Sequence, residues 1–403
     1  MTRPRPPFST IALVLQGGGA LGAYQAGVME GLDEAGITPD WVAGISIGAI
    51  NAALIAGNAP AARVGALNDF WNTVATPASG LALPNDWASA LAPREGPARV
   101  WWNQWQAARA LVEGQQGFFT PRGPAPWLGW PLAPDQASFY DTAPLKATLE
   151  RLVDFDRLNH GPMRLSVAAV DVASGNFEVF DSRQGPWAGR IGPEHIMASG
   201  ALPPGFPAVA IPNPPGQPAG VRHYWDGGLV SNTPLAQVLA DQPRRDTLAF
   251  QVDLWSAQGA VPDNVIDVQE RVKDIQYSSR TRMVTDALAR EQRQRRLLRE
   301  LLAKVPAEQR RHDPWCRAAE QEACGRLVNV VHLIYQDKAW DGLLKDAEFG
   351  ARTMHDHWAS GLGDLRHTLG LPGVLDRPVG DVPGDAFVTH DVHRRLAAAA
   401  AAA

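Results

Sequence analysis

Apolar and polar positions near the start of the chain predict two consecutive strand–helix pairs. Residues 10–16 are a short apolar run with β-branched side chains, ended by glycines, which indicates a buried strand. Over residues 20–34 the apolar side chains recur at helical spacing until Gly36 ends the pattern. A second apolar run at residues 41–43 leads into a helix-like run over residues 49–56. This order predicts a βαβα unit and therefore a mostly parallel sheet.

The same patterns extend the predicted α/β domain over residues 8–255. Between residues 77 and 140, however, proline, glycine and tryptophan dominate, and only a short helix near residues 100–112 is predicted. A loop-rich insertion of this length is usually functional, and we expect it to form a cap over the site. Outside the insertion, further strands are predicted over residues 163–172, 177–180 and 247–254, and helices over residues 144–152, 195–199 and 234–241.

Beyond residue 260 the composition becomes more charged, and a mainly helical C-terminal extension is predicted over residues 260–395. Residues 271–311 hold 12 Lys and Arg against 5 Asp and Glu. Such a run is usually a solvated helix face, and the alternative is a patch that anionic lipid attracts. The predicted elements are a long basic helix or helix pair, one strand and two further helices, over residues 265–304, 327–335, 346–358 and 362–369.

Composition narrows the class of protein. The chain has 403 residues, a net charge of −5 and a hydrophobic fraction of 45%, which is ordinary for a globular protein. The net negative charge argues against nucleic acid as a partner. Cys316 and Cys324 form neither a disulfide framework nor a zinc motif. No secretory signal peptide and no apolar run of membrane-spanning length is evident, so we expect a cytoplasmic protein that contacts a membrane only at its surface.

A G-x-S-x-G motif is the first candidate for catalysis. Ser46 lies between Gly44 and Gly48, directly after the second predicted strand and at the start of a helix. A nucleophile elbow needs this context, because its serine occupies a sharp strand-to-helix turn. The hydroxyl then lies at a helix N-terminus, where the peptide dipoles favour negative charge. The alternative is a glycine-rich turn in which Ser46 only caps the helix.

Two more glycine motifs follow predicted strands. Residues 17–22 read G-x-G-x-x-G, a pattern of dinucleotide sites, but those sites need an acidic residue at the end of the second strand. This chain has the serine turn there instead. The competing interpretation is an oxyanion hole, because consecutive glycines expose backbone N–H groups near a helix N-terminus. The third motif is Asp226-Gly227-Gly228, also at a predicted strand end.

A serine nucleophile needs a base, and none of the 10 histidines stands in a recognisable motif. Asp226 follows an apolar strand, so it can reach the carboxyl edge of the sheet where Ser46 also lies. A carboxylate is a weak base at its usual pKa of about 3.9. It can serve if the site is partly dry and the helix dipole stabilises the developing alkoxide.

Together these motifs resemble, in their order and spacing, the patatin-like phospholipase family. They comprise residues 16–22, 44–48 and 226–228, with an Ala-Ser…Pro…Phe-Pro segment over residues 198–207. The resemblance covers roughly residues 8–255 and implies the fold, a three-layer α/β/α sandwich with a mostly parallel central sheet. The C-terminal extension resembles one that is attached to some bacterial members.

The resemblance also implies a chemistry. Ser46 is then the nucleophile and Asp226 the general base of a dyad without histidine. The implied reaction is hydrolysis of a lipid acyl ester, of the phospholipase A or lysophospholipase type, through an acyl-enzyme and without metal or cofactor. The backbone expected to form the oxyanion hole, the elbow and the aspartate turn comprises Gly17, Gly18, Gly19, Ala20 and Gly22, then Gly44 and Gly48, then Gly227 and Gly228.

One departure from the family pattern bears on the substrate. Many members carry arginine where this chain has Leu21. Without that cation the glycine loop is expected to hold an anionic headgroup less well, so a neutral ester or lipid is the alternative to a phospholipid.

Two alternative functions stay open at this point. The first is an esterase of the ordinary α/β-hydrolase type, in which a histidine after Asp226 completes a Ser-Asp-His triad. The second is a scaffold without catalytic activity that binds a lipid surface or a partner through the basic helix. The histidines available for a triad are His332, His355, His357, His367, His390 and His393.

Overall fold

Eleven strands are formed within the part of the chain that the computed structural model describes, residues 4–78, 84–124, 126–379 and 386–391. Nine of them form one sheet and two form a small ladder. The strands are β1 (Thr10–Leu15), β2 (Trp41–Gly44), β3 (Thr120–Pro121), β4 (Tyr140–Asp141), β5 (Arg164–Asp171), β6 (Phe177–Asp181), β7 (Val209–Pro212), β8 (Val221–Asp226), β9 (Thr247–Asp253), β10 (Val328–Ile334) and β11 (Phe387–Asp391).

The sheet is mostly parallel, as predicted. Its order is β11-β10-β9-β1-β2-β5-β8-β7, with β6 also paired to β5. The six strands from β11 to β5 run parallel, whereas β6 and β8 run antiparallel to β5, and β7 antiparallel to β8. Strands β1 and β9 are buried along almost their whole length, because helices cover both faces of a parallel sheet.

Thirteen α-helices accompany the sheet in the described residues. Strand and helix alternate from β1 to the helix after β2, which confirms the predicted βαβα unit. The helices are α1 (Ala23–Glu34), α2 (Ile47–Ala56), α3 (Arg63–Ala75), α4 (Asn85–Leu91), α5 (Gly96–Glu113), α6 (Ala143–Leu152), α7 (Phe155–His160), α8 (Pro193–Ser199), α9 (Leu235–Ala240), α10 (Val265–Ala303), α11 (Ala307–His312), α12 (Pro314–Glu322) and α13 (Ala351–Gly370).

Side chains of β1 alternate between two cores, one on each face of the sheet. Ile11, Leu13 and Leu15 join a large cluster with residues of α1, α2 and α13. Ala12 and Val14 join a smaller cluster with residues of α9, against which Leu288 of α10 packs. Helices therefore cover both faces, and the three-layer α/β/α arrangement is confirmed.

The C-terminal region is mainly helical, as predicted, and it also extends the sheet. β10 pairs with β9, and β11 pairs with β10. The predicted boundary between residues 8–255 and residues 260–395 therefore falls between adjacent strands of one sheet. The basic segment forms a single helix, α10, of 39 residues. Its cations include Arg295, which pairs with Glu322 at 3.1 Å.

The two separate helices predicted over residues 346–358 and 362–369 are wrong, because the structure has one helix there, α13. Its Gly361 does not end the helix but packs against α1. A Cβ atom at Gly361 would lie 2.0 Å from the Tyr24 carbonyl oxygen, and one at Gly27 would lie 1.9 Å from the Trp358 carbonyl oxygen. The backbones of the two helices therefore touch at these glycines.

The insertion over residues 77–140 holds more helix than the sequence indicates. Helix α5 has 18 residues, so the predicted segment 100–112 is its C-terminal part, and α4 precedes it. The β3–β4 ladder closes the insertion. Residues 79–83 and 125 lie outside the described residues. None of the helices described combines the length and the apolar character that crossing a bilayer requires.

We expect Gly361→Ala to destabilise the fold by about 1–3 kcal/mol, because the added methyl group forces α13 away from α1. The measurement is the free energy of unfolding by urea, followed by far-UV circular dichroism.

Gly363→Ala is the matched control on the same helix. No atom lies within 4 Å of the position of its added Cβ, so this change should be neutral or stabilise by up to about 1 kcal/mol. Equal effects at both positions would contradict the close packing of α13 on α1.

Candidate active site

Ser46 occupies the sharp turn between β2 and α2, in the backbone geometry of a nucleophile elbow. Its φ is 56° and its ψ is −125°, and among the described residues it is the one non-glycine with a positive φ. Such a conformation costs of order 1–3 kcal/mol and persists only where the surroundings enforce it. The Ser46 N–H donates to the Ser199 carbonyl oxygen at 3.1 Å, which ties the turn to the end of α8.

The two glycines of the motif are required by close backbone contacts. A Cβ atom at Gly44 would lie 2.2 Å from the Gly48 carbonyl oxygen, and one at Gly48 would lie 2.3 Å from the Leu15 carbonyl oxygen. No side chain fits at either distance. Helix α2 can therefore begin directly on top of β1 and β2, which leaves Ser46 at the carboxyl edge of the sheet.

Asp226 stands at the end of β8 and is buried beside Ser46. Its Oδ1 accepts a hydrogen bond from the Gly228 N–H at 2.7 Å, and the Ser46 side chain interacts with the carboxylate and lowers its pKa. Burial raises the pKa of Asp226 to about 7, although the Gly228 N–H and the Ser46 side chain oppose that rise. Gly227 turns the chain away next to β5, where an added Cβ would lie 2.6 Å from the Ala168 carbonyl oxygen.

The glycine loop after β1 forms the opposite wall of the site. Both backbone groups of Gly17 are hydrogen-bonded. Its N–H donates to the Asn232 carbonyl oxygen at 3.3 Å. Its carbonyl oxygen accepts from Trp255 Nε1 at 2.8 Å and from Asn232 Nδ2 at 3.1 Å. For the N–H groups of Gly18 and Gly19 the described residues supply no acceptor. Both glycines line the same cavity as Ser46.

The remaining residues of the loop lie behind the site. Ala20 and Leu21 are buried, and neither is among the residues that line the cavity. A Cβ atom at Gly22 would lie 2.5 Å from Cγ1 of Ile47, so this glycine lets the loop pack against the start of α2. Leu21 thus belongs to the core of the domain.

A cavity of about 300 Å³ opens beside Ser46 and Asp226. Its walls are largely apolar, and the aromatic rings of Phe118, Phe119 and Phe206 pack against one another along one side. Phe118 and Phe119 belong to the insertion, so the insertion does line the site. A dry wall of this kind suits an acyl chain.

The C-terminal region supplies another part of the cavity wall, namely Tyr277 of α10 and Asp346, Ala347 and Phe349. The chain between 345 and 349 lies directly on the glycine loop, because a Cβ atom at Gly19 would be 2.1 Å from the Asp346 carbonyl oxygen. Gly19 also has a φ of 55°. Residues 345–349 therefore hold the loop that carries the free N–H groups.

Ion pairs of Lys345 hold residues 345–349 in place. Its ammonium lies 2.7 Å from Asp337, 2.9 Å from Asp274 and 3.5 Å from Glu270. These three carboxylates lie close enough together to hold a cation, and the ammonium supplies one. Burial disfavours the charge, but Asp337 and Asp274 outweigh it and raise the pKa of Lys345. Next to it, Lys273 pairs with Asp346 at 2.6 Å.

The histidines considered for a triad lie elsewhere. None of the described histidines is among the residues lining the cavity. His332 hydrogen-bonds Asp253, and His357 is buried against the ring of Tyr335. His393 lies outside the described residues.

Sequence reasoning missed the residues that support the glycine loop, above all Asn232, Trp255 and Lys345. Two of them carried a usable signal. Asn232 follows Asp226 by six positions, and Trp255 comes two positions after the end of β9, at the carboxyl edge where ligands bind in parallel sheets. Lys345 carried no such signal, because its partners come from α10 and from the loop after β10.

A parallel sheet that holds a serine in a strained strand-to-helix turn is the architecture of hydrolases built on a nucleophile elbow. The chain belongs to the patatin-like phospholipase family, whose model matches residues 13–239. A second family model, described as Patatin phospholipase, matches residues 275–381. Membership confirms the resemblance that the motifs indicated.

Similarity to individual curated proteins is confined to a short segment. The chain is 54% identical over 50 residues to Lysophospholipase nte1 of Aspergillus terreus, which is 12% of this chain and 3% of that protein. It is 51% identical over 55 residues to Patatin-like phospholipase domain-containing protein 6 of Mus musculus, which is 14% of this chain and 4% of that protein. The chain thus spans only a small fraction of the length of these relatives.

Among solved structures, VipD from Legionella pneumophila is similar at 16% sequence identity with a TM-score of 0.33, over 88% of this chain and 67% of that one.

We expect Lys345→Met to destabilise the protein by about 2–4 kcal/mol, because it leaves three clustered carboxylates without their cation. Since residues 345–349 hold the glycine loop, hydrolysis of a soluble ester should also fall. The measurements are the unfolding midpoint in urea and the initial rate with p-nitrophenyl butyrate.

Lys304→Met makes the same substitution at an exposed position of the chain and should leave both quantities unchanged. If Lys345→Met also left the unfolding midpoint and the hydrolysis rate unchanged, the ion pairs of Lys345 would not be what holds residues 345–349.

Proposed function

We propose that this chain hydrolyses the acyl ester bond of a lipid, with Ser46 as nucleophile and Asp226 as general base. The observation that carries the proposal is that the strained Ser46 and the buried Asp226 line the same apolar cavity. Family membership supports the class of substrate. A carboxylate with a pKa of about 7 is a far better base than an ordinary aspartate, because catalysis is best when the base titrates near the working pH.

The reaction begins with acylation of the serine. Asp226 takes the Ser46 hydroxyl proton as Oγ attacks the ester carbonyl carbon, and the carbonyl electron pair moves onto oxygen. The N–H groups of Gly18 and Gly19 are proposed to stabilise that oxyanion. When the carbonyl reforms, the C–O bond to the leaving alcohol breaks and protonated Asp226 returns its proton to the alkoxide. Water then repeats the sequence on the acyl-enzyme, which releases the fatty acid and restores Ser46.

Several features bear on the substrate. Aromatic side chains such as Phe118 and Phe206 line the cavity, so the acyl chain is proposed to bind there. Leu21 lies in the core, so no cation from that position reaches a headgroup. We therefore propose that the acyl chain contributes more to binding than the headgroup does, and the phospholipase A or lysophospholipase type rests on family membership. Peripheral contact with a membrane and the lack of a nucleic-acid partner are parts of the same proposal.

We expect Ser46→Ala to lower the rate of hydrolysis of p-nitrophenyl butyrate by at least about 10³-fold, because the nucleophile is lost. Asp226→Asn should lower it by about 10²–10⁴-fold, because the amide cannot accept the proton. The same losses should appear with phospholipid in detergent micelles.

Ser174→Ala and Asp263→Asn make the same changes at exposed positions and should keep the parent rate. Parent-level hydrolysis by Ser46→Ala would favour the scaffold without catalytic activity. Loss of hydrolysis in a folded His→Ala variant would favour the Ser-Asp-His triad.

The pH dependence follows from the same carboxylate. Asp226 acts as a base only when ionised, so kcat/KM for the soluble ester should rise with pH through an apparent pKa near 7. A profile that is flat over roughly two pH units either side of that pKa would contradict the assignment.

The free energy of unfolding should fall as pH rises, whereas kcat/KM should rise. The folded pKa of about 7 lies above the ordinary 3.8, so the folded state binds more protons between these values and loses stability as pH rises through them. Asp226→Asn removes this loss. The variant should therefore be more stable than the parent by about 2–4 kcal/mol above pH 7, with the difference vanishing near pH 4. Urea unfolding of both proteins across this range is the measurement, and a pH-independent difference would contradict it.

A further inference from the structure

Helix α5 buries mainly polar side chains and exposes tryptophans. Its buried positions include Arg99, Asn103 and Gln106, whereas Trp101 and Trp105 point outward with 64% and 43% of their surface exposed. A surface helix normally buries its apolar stripe and exposes its polar one. The reversal indicates that the outward face meets something other than water.

The inward polar face is held by hydrogen bonds of Arg99 and Asn103, although Arg99 Nε and Gln106 Oε1 have no partner among the described residues. Arg99 donates to Thr353 at 2.7 Å and to Asp356 at 3.0 Å, both on α13. Asn103 donates to the Trp340 carbonyl oxygen at 3.2 Å. Because buried polar groups cost little only when hydrogen-bonded, these contacts fix the orientation of the helix, and its tryptophans cannot turn inward.

The outward face spans three turns and contains no charge among its described side chains. The exposed positions between 101 and 112 are Trp101, Gln104, Trp105, Ala108, Leu111 and Val112. We call these six residues the α5 face. Arg109 flanks it and stacks over the Trp105 ring at 5.1 Å. Tryptophan beside a cation at the edge of an apolar stripe is typical of a helix that lies in the interface of a bilayer.

The α5 face is continuous with the catalytic cavity. Leu111 is 36% exposed and also lines the cavity. The Tyr140 hydroxyl donates to the Leu111 carbonyl oxygen at 2.7 Å, and Tyr140 lines the cavity as well. An acyl chain leaving a bilayer that touches this face would meet Leu111 before it met Ser46.

We propose that the α5 face docks the chain on a lipid bilayer, with the mouth of the cavity at the lipid surface. This inference rests on the proposed function, since it names the surface from which the substrate enters. A lipid surface fits better than a second copy of this chain, because a copy seated on the face would cover the side of the cavity that Leu111 forms. Apolar contact drives this docking, so it needs no anionic lipid.

The basic helix α10 is the competing surface. Several of its cations already have partners, such as Arg271 with Asp274 and Arg295 with Glu291. Arg290 and Arg293 are exposed and would dominate binding if anionic lipid attracted the chain. Docking through the α5 face should therefore be independent of lipid charge, whereas docking through α10 should require anionic lipid.

The experiment measures co-sedimentation with vesicles of phosphatidylcholine, alone or mixed with phosphatidylglycerol. All proteins carry Ser46→Ala so that the vesicles stay intact. Trp101→Ala/Trp105→Ala should lower binding to both vesicles by about tenfold or more, because two interfacial rings are lost. Val112→Glu, on the same face and 75% exposed, should act in the same direction. Circular dichroism checks that both variants stay folded.

Two controls separate the surfaces. Trp315→Ala removes a tryptophan that is 81% exposed on α12, and Arg290→Ala/Arg293→Ala removes charge from α10; both should bind like their parent. The inference is overturned if the tryptophan pair binds like its parent, if binding requires phosphatidylglycerol and falls in the arginine pair, or if the parent is a dimer that the tryptophan pair dissociates.

A second readout separates this inference from the proposed function. With Ser46 intact, Trp101→Ala/Trp105→Ala should hydrolyse soluble p-nitrophenyl butyrate at the parent rate while losing activity on vesicles. If the parent did not hydrolyse the soluble ester, the catalytic proposal would be contradicted. If parent and variant were equally active on vesicles, only the docking proposal would be contradicted.

Discussion

The close approach of helix α2 to strand β1 is the constraint on which the rest of the site depends. The Leu15 carbonyl oxygen accepts the Ile45 N–H at 3.1 Å and leaves no room for a side chain at Gly48. Ser46 lies between these two contacts, so its strained backbone is imposed from both sides. The glycine loop begins two residues after Leu15, and the same contact thus sets its position relative to the serine hydroxyl.

Much of the fold and the glycine turns that surround Ser46 could be predicted because they depend on local patterns. Buried parallel strands read as short apolar runs, and a serine between two glycines after such a run indicates an elbow wherever the fold allows it. The supports of the site are different in kind. Asn232, Trp255 and Lys345 act through contacts with residues far away in the chain, and no local pattern specifies such partners.

Hydrophobic periodicity also predicts structure poorly where a glycine lies inside a helix or where a helix exposes its apolar side chains. Gly361 suggests a helix end from sequence, yet here it permits two helix backbones to touch. In α5 the spacing predicts a helix, but the tryptophans face outward because Arg99 and Asn103 find hydrogen-bond partners inside. Helical spacing identifies an apolar stripe; only tertiary contacts decide whether that stripe faces protein or solvent.

The position of β10 has a consequence for how this chain tolerates shortening. β9 is buried at all seven positions and pairs with β1 on one side and β10 on the other. A chain cut back to the patatin-matched segment and β9 would turn this strand into an edge, with a row of open N–H and C=O groups and apolar side chains on both faces. Edges of that kind recruit other chains. The C-terminal region thus shields the sheet from self-association, and trimming it would yield aggregates before it yielded a smaller enzyme.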